Sequence, residues 1–127
     1  MNHNPHEAEA KERWGETAAY KESARRTKNY TDEDFALAQK QAEAAVMMFM
    51  DAMNAGLSPE SEAAADAAEA HRAAITDWYY DCSYDLQVRL AEMYLADSRF
   101  TAHYEQYQSG LARYVHDAII ANAITKS

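Results

Sequence analysis

The amino-acid sequence predicts an all-α domain, and three observations carry that expectation. Three glycines and two prolines among 127 residues are too few to punctuate the turns of a β-sandwich or barrel. Alanine, glutamate, lysine, glutamine, methionine and leucine, which all favour helix, are abundant. Apolar residues recur at steps of three and four along most of the chain. A chain of this length encloses one core, since single domains usually run to roughly 100–200 residues.

Residues 1–30 are nearly charge-balanced and poor in large apolar groups, with Trp14, Tyr20 and Tyr30 set among charges and Gly15. Such a segment forms one or two short helices that gain order only by docking, so it is expected to be a flexible N-terminal arm or lid. The helical core is expected over 31–127. Thr31 followed by Asp32, Glu33 and Asp34 is a helix start, a capping side chain with carboxylates in the positive first turn. The stripe Phe35, Ala38, Ala42, Val46, Phe49 and Met53 should face the core, and Gly56 should end the helix. Met47 and Met48, off that stripe, are expected to widen the core face, with a groove lining as the alternative.

Ser58 and Pro59 read as the next start, cap and first helical residue, followed by the stripe Ala64, Ala68, His71, Ile75 and Trp78. Ser83 can cap a further helix with the stripe Leu86, Leu90, Met93 and Tyr94 beside it, which leaves Cys82 one residue outside a helix N-terminus. The stripe also passes through Cys82 without a change of phase, so one unbroken helix over 59–96 stays open. Asp97 and Ser98 mark a corner. A short helix over 99–107 and a last one over 110–123 complete the domain, the latter presenting Leu111, Tyr114, Val115, Ala118 and Ile119 inward.

Twenty-one acidic residues against 12 basic ones give a net charge of −9, so the chain repels nucleic acid and anionic membranes. Nine carboxylates against Lys40 in residues 31–71 supply most of that charge, and a solvated acidic face accounts for them. The longest uncharged apolar run, Ala44 to Met50, is far short of the ~20 residues of a membrane span. With no secretory-type start and one cysteine, the expected location is the cytoplasm.

Nine of the fourteen aromatic residues fall between Trp78 and Tyr114: Trp78, Tyr79, Tyr80, Tyr84, Tyr94, Phe100, Tyr104, Tyr107 and Tyr114. They can line a pocket for a flat, ring-rich ligand, or half-bury their rings at ordinary helix spacing. Cys82 can likewise be a small buried hydrophobe or a reactive thiol. A place before a helix N-terminus favours its thiolate, whereas Asp81 and Asp85 oppose it, so any reaction must lean on a bound electrophile held close. His71, on the apolar stripe, is expected to be a core or pocket histidine with a hydrogen-bond partner. Enzyme classes find no support. No signature ties His71, His103 or His116 to Cys82 as a base, no glutamate stands three residues before a histidine, and no P-loop or Gly-x-Gly-x-x-Gly occurs. No cofactor or metal is expected, and His3 and His6 sit in the terminal arm.

The run from His71 to Tyr84 (HRAAITDWYYDCSY), continuing from Leu90 to Phe100 (LAEMYLADSRF), resembles the TipA-type antibiotic-recognition domain, TipAS. Trp14 to Thr17, Tyr20 to Lys28, Gly110 to Ala112 and Asp117 to Ile119 extend the likeness over most of the chain. The resemblance implies a globin-like fold without haem, serving as effector module of MerR-type transcriptional activators or standing alone. It implies non-enzymatic binding of thiopeptides of the thiostrepton type, with Cys82 matching the cysteine that adds to a dehydroalanine, and an N-terminal part that folds over the ligand. The expected cleft is lined by His71, Trp78, Tyr79, Tyr84, Tyr94, Phe100, Tyr104 and Tyr107. The departures are Tyr84 and Ser98 where many members have proline, Gln87 where they have histidine, and Ser109 where proline precedes the glycine. No MerR-type DNA-binding domain or coiled coil is in the sequence, which is expected to be either a free-standing domain or a piece of a longer regulator.

Overall fold

The computed structural model describes residues 18–126, which run as six helices. They are α1 Ala18–Thr27, α2 Asp32–Asn54, α3 Glu62–Trp78, α4 Tyr84–Ala96, α5 Ser98–Glu105 and α6 Leu111–Lys126, with no strand among the described residues. Trp14, His3, His6 and the rest of the arm's first 17 residues lie outside the described residues.

The helix starts follow side-chain capping. Thr31 Oγ1 accepts from the Asp34 N–H at 3.1 Å and the Asp34 carboxylate accepts from the Thr31 N–H at 3.0 Å, a reciprocal capping box. At the other end of α2 the Leu57 N–H reaches Ala52 O and the Gly56 N–H reaches Met53 O, both at 3.1 Å. This closure needs a left-handed residue between them, which Gly56 supplies at φ +74. The expected start at Ser58 is corrected to Ser61, whose hydroxyl accepts from the Ala64 N–H at 3.2 Å. Ser58 and Pro59 instead form a turn in which Ser58 O accepts from the Ser61 N–H, since proline suits the second position of a turn as well as a first helical position.

The chain breaks between α3 and α4, which rules out one unbroken helix over 59–96. Ser83 caps α4 by accepting from the Leu86 N–H at 3.1 Å, and Asp97 ends α4 while capping α5 through the Arg99 N–H at 3.0 Å. At the start of α6 the Glu105 carboxylate accepts from the Gly110 and Ala112 N–H groups at 2.9 and 3.0 Å. Those two bonds hold its carboxyl below the usual carboxylate range.

The α2 helix packs on α3, and α6 lies across α3 and α4. Phe49, Leu111, Val115 and Ile119 are fully buried at the centre, and Ala52, Ala64, Ala67 and Ala68 let α2 and α3 approach closely. Phe35 and Ala42 lie on the exposed side of α2, so its buried stripe is Ala38, Ala45, Val46, Phe49 and Ala52. Met47 and Met48 are exposed rather than core, and Met48 lines a groove of about 340 Å³ with Leu57, Ala63, Asp51 and Asp66. On α4 the buried face is Gln87, Ala91 and Tyr94, one residue round from the expected Leu86, Leu90 and Met93, which are half-buried. The reason is a polar anchor: Gln87 finds partners on α3 that draw its side of the helix inward.

Candidate functional site

Cys82 stands immediately before the Ser83 cap, in the short connection between α3 and α4. Its backbone is fixed at both polar groups. The Cys82 N–H donates to Thr76 Oγ1 at 3.1 Å, and Cys82 O accepts from Arg72 Nη1 at 3.0 Å. The thiol is buried, the residue being 2% exposed. Burial pushes the thiol pKa up to about 11, against the pull of the Arg72 guanidinium, so at neutral pH the group is a protonated thiol.

Arg72 belongs to a polar cluster that ties three helices. Its guanidinium lies over the Tyr84 ring, 4.4 Å from the ring centroid, and Nη2 donates to Glu69 Oε1 at 3.1 Å. The Glu69 carboxylate also accepts from Tyr84 Oη at 3.2 Å and from Asn122 Nδ2 of α6 at 2.6 Å. Burial opposes ionisation of Glu69, but the bonds from Asn122, Arg72 and Tyr84 outweigh it and hold the carboxyl below its ordinary value.

A second constellation runs through the core. Gln87 Nε2 donates to Ala68 O at 2.8 Å, which fixes the amide orientation, because only the nitrogen can face a carbonyl. The same nitrogen lies 2.9 Å from His71 Nδ1, so Nδ1 accepts and the ring proton sits on Nε2, which meets Tyr94 Oη at 3.0 Å. Tyr94 in turn is hydrogen-bonded to Tyr104. Burial lowers the His71 pKa to about 4, keeping the imidazole neutral, and raises both phenols. Gln87 Oε1 is buried without a partner. Phe100 completes this group at 6.0 Å from the Tyr94 ring, and Tyr107 joins through His103.

The third group lies where α1 meets the core. The Tyr30 hydroxyl donates to Trp78 O, the two rings meet edge to face at 5.8 Å, and Trp78 Nε1 donates to Gln41 Oε1 at 2.8 Å. Arg26 Nη1 donates to Thr76 O and Nη2 to Asp81 Oδ1 at 3.0 Å, so α1 is clasped to the segment that carries Cys82. Glu22 pairs with Arg25 and Arg26, which push its carboxyl down to about 2. No residue of α1 is buried.

The residues expected in one cleft therefore fall into three places. His71, Tyr94, Phe100 and Tyr104 stack together, Tyr94 and Tyr104 inside the core; Trp78 meets Tyr30, just beyond the end of α1; Tyr84 belongs to the Arg72 cluster. Tyr79 is half-buried beside Tyr30, and Tyr107 packs on the outer edge of the core. Sequence reasoning missed Arg72, Glu69, Thr76, Asn122, Gln41 and Arg26. The Glu69–Arg72 spacing of three residues is a legible helical ion pair; Asn122 and Gln41 carry no such local signal. Among the described residues no group of three or more histidine, cysteine or acidic side chains could hold a metal ion. No helix among them is long and apolar enough to cross a membrane.

The sequence matches the model of the TipAS antibiotic-recognition domain over residues 6–122. The HTH-type transcriptional activator TipA of Streptomyces coelicolor is 44% identical over 119 residues, 94% of this chain and 47% of that protein. The chain thus spans about half the length of the curated relatives it matches. Among solved structures, TipAS of Streptomyces lividans in complex with nosiheptide, from a thiopeptide antibiotic multidrug resistance system, superposes with a TM-score of 0.89 at 42% identity, over 99% of this chain and 90% of that one. The antibiotic-binding domain of a TipA-class multidrug resistance transcriptional regulator gives 0.66 at 42% identity, over 71% of this chain and 96% of that one.

Proposed function

The chain belongs to the TipAS antibiotic-recognition domain family, and from that membership we infer that it binds thiopeptide antibiotics of the nosiheptide class without turnover. The observation that carries this reading is the superposition, along nearly the whole chain, on a domain solved with nosiheptide. The ligand site we propose opens where α1 is displaced, with Trp78 and Tyr79 beside α1 and Tyr84 in the neighbouring Arg72 cluster as its walls, while the buried His71–Tyr94–Tyr104 ladder, with Phe100, supports it from the core. A helix with no buried residue, held through Arg26 and Tyr30, suits a lid over a bulky guest. Tyr107 forms the outer rim. Binding takes place in the cytoplasm, where the acidic domain responds to antibiotic and leaves DNA contact to another part of a MerR-type activator.

Covalent capture by Cys82 is part of the same reading. The sulfur proton passes to solvent, the thiolate bonds to the methylene carbon of a dehydroalanine, the π pair moves to the α-carbon, and that carbon takes a proton from water. No oxidant or reductant is required. A second reading, reversible capture without bond formation, is favoured by the buried thiol and its pKa of about 11. Intact mass spectrometry and tryptophan fluorescence with nosiheptide decide between them. A one-to-one adduct that Cys82→Ser abolishes supports covalent capture; a fluorescence change with no added mass supports the reversible form. The absence of both an adduct and a fluorescence change would overturn the assignment.

A further inference from the structure

We propose that Arg72 is the positioning residue of the Cys82 site, fixing the Cys82 carbonyl and setting a positive charge beside the sulfur that stabilises the thiolate needed for bond formation. The inference rests on covalent capture as read above, and goes beyond it by naming what prepares the thiol.

The geometry leaves Arg72 little freedom. Nη1 holds Cys82 O at 3.0 Å, Nη2 holds Glu69 at 3.1 Å, and the face of the guanidinium rests on Tyr84. Glu69 is itself gripped by Asn122 and Tyr84, so the anchor is built from α3, α4 and α6 together. Arg72 Nε is buried with no acceptor, which leaves the fork an unspent donor. A guanidinium presenting a planar fork and stacked on a ring is not replaceable by an ammonium without loss of position.

The thiol donates to Ser83 O at 3.6 Å, which favours its protonated form, and the titratable groups around it divide by charge. From α3 comes the Arg72 cation, from the connecting segment the Tyr80 hydroxyl, and from α4 the Tyr94 hydroxyl. Burial raises both phenols, so they are neutral where the protein works. His71, bonded to Tyr94, is neutral as well. Asp81, the neighbour in sequence, turns to Arg26 of α1. Arg72, although paired with Glu69, is therefore the cation that offsets part of the cost of burying the sulfur.

The test is the alkylation rate of Cys82 by iodoacetamide against pH, followed by intact mass, in the parent chain, Arg72→Lys and Arg72→Gln. Below the thiol pKa the rate tracks the thiolate fraction, so a thiol made about ten times weaker as an acid reacts about tenfold more slowly at fixed pH. Arg72→Gln is expected to slow alkylation on the order of tenfold at neutral pH, with Arg72→Lys intermediate, and all three should react equally when unfolded in urea. Because Arg72→Gln strands the Glu69 carboxylate, the double variant Arg72→Gln/Glu69→Gln is measured beside it and should show the same slowing. Equal rates in parent and both charge-free variants, or a lysine variant as slow as glutamine, would overturn the proposal. Nosiheptide adduct formation by the parent is scored separately: its absence defeats covalent capture, whereas a flat iodoacetamide series defeats only the role of Arg72.

Discussion

His71 is the residue whose protonation the fold resists. Its pKa falls from 6.5 to about 4 on folding because burial penalises the imidazolium, so between those values the unfolded chain binds the extra proton. Stability contributed by the neutral ring is complete above about pH 6.5 and is lost as the pH falls towards 4. Thermal or urea unfolding should show a loss of about 2 kcal/mol between about pH 7 and pH 5, and His71→Gln should flatten that dependence. A parent chain whose unfolding midpoint does not move over this range would contradict the buried, proton-free ring. Gln87 supports the same ladder. Gln87→Leu leaves His71 Nδ1 without its donor in the interior, at an expected cost of about 1–3 kcal/mol in urea denaturation. Periodicity made His71 legible as an inward residue, but Gln87 was not, because a polar side chain on α4 reads as solvent-facing until its partners on α3 are in view.

At the level of the helix, local chemistry sets most boundaries. Thr31, Ser83, Asp97 and the glycine ending α2 were all readable, because caps and left-handed closures are decided within four residues. The start of α3 was not, since Ser58 and Ser61 are both capable caps and the Pro59 turn decides between them. Gly110 serves two needs: φ is +87, and an added Cβ would stand 3.2 Å from the Met53 methyl. Gly110→Ala should therefore cost about 1–3 kcal/mol, measured as a lower urea midpoint at unchanged slope. Ser83→Ala removes the cap of α4 and should cost about 1 kcal/mol while speeding Cys82 alkylation; stability lost with no gain in thiol access would mean the cap does not govern that segment.

Across the molecule, the all-α class was legible because helix formers, stripes and scarce turn residues agree, and the deviations lie where a tertiary contact overrules a stripe. Phe35 illustrates this: it fits the α2 period yet stands exposed, meeting Tyr30 instead of the core. The thiol and the aromatic content from which the candidate site is proposed were legible, but the arrangement of these side chains was not, because Tyr84 is placed by a cluster of Glu69, Arg72 and Asn122 that joins α3, α4 and α6. Hydrogen exchange should divide the chain accordingly, with Tyr30→Phe raising exchange in α1 and leaving α2, α3 and α6 unchanged. Arg26 adds a property of a different kind. A clasp that includes an ion pair at the surface weakens as salt rises, whereas the oily interior does not. On the proposed lid reading, ionic strength becomes a dial on this domain: in brine a guest would enter sooner and leave sooner, and the same polypeptide would trade tenacity for speed without altering a single core contact.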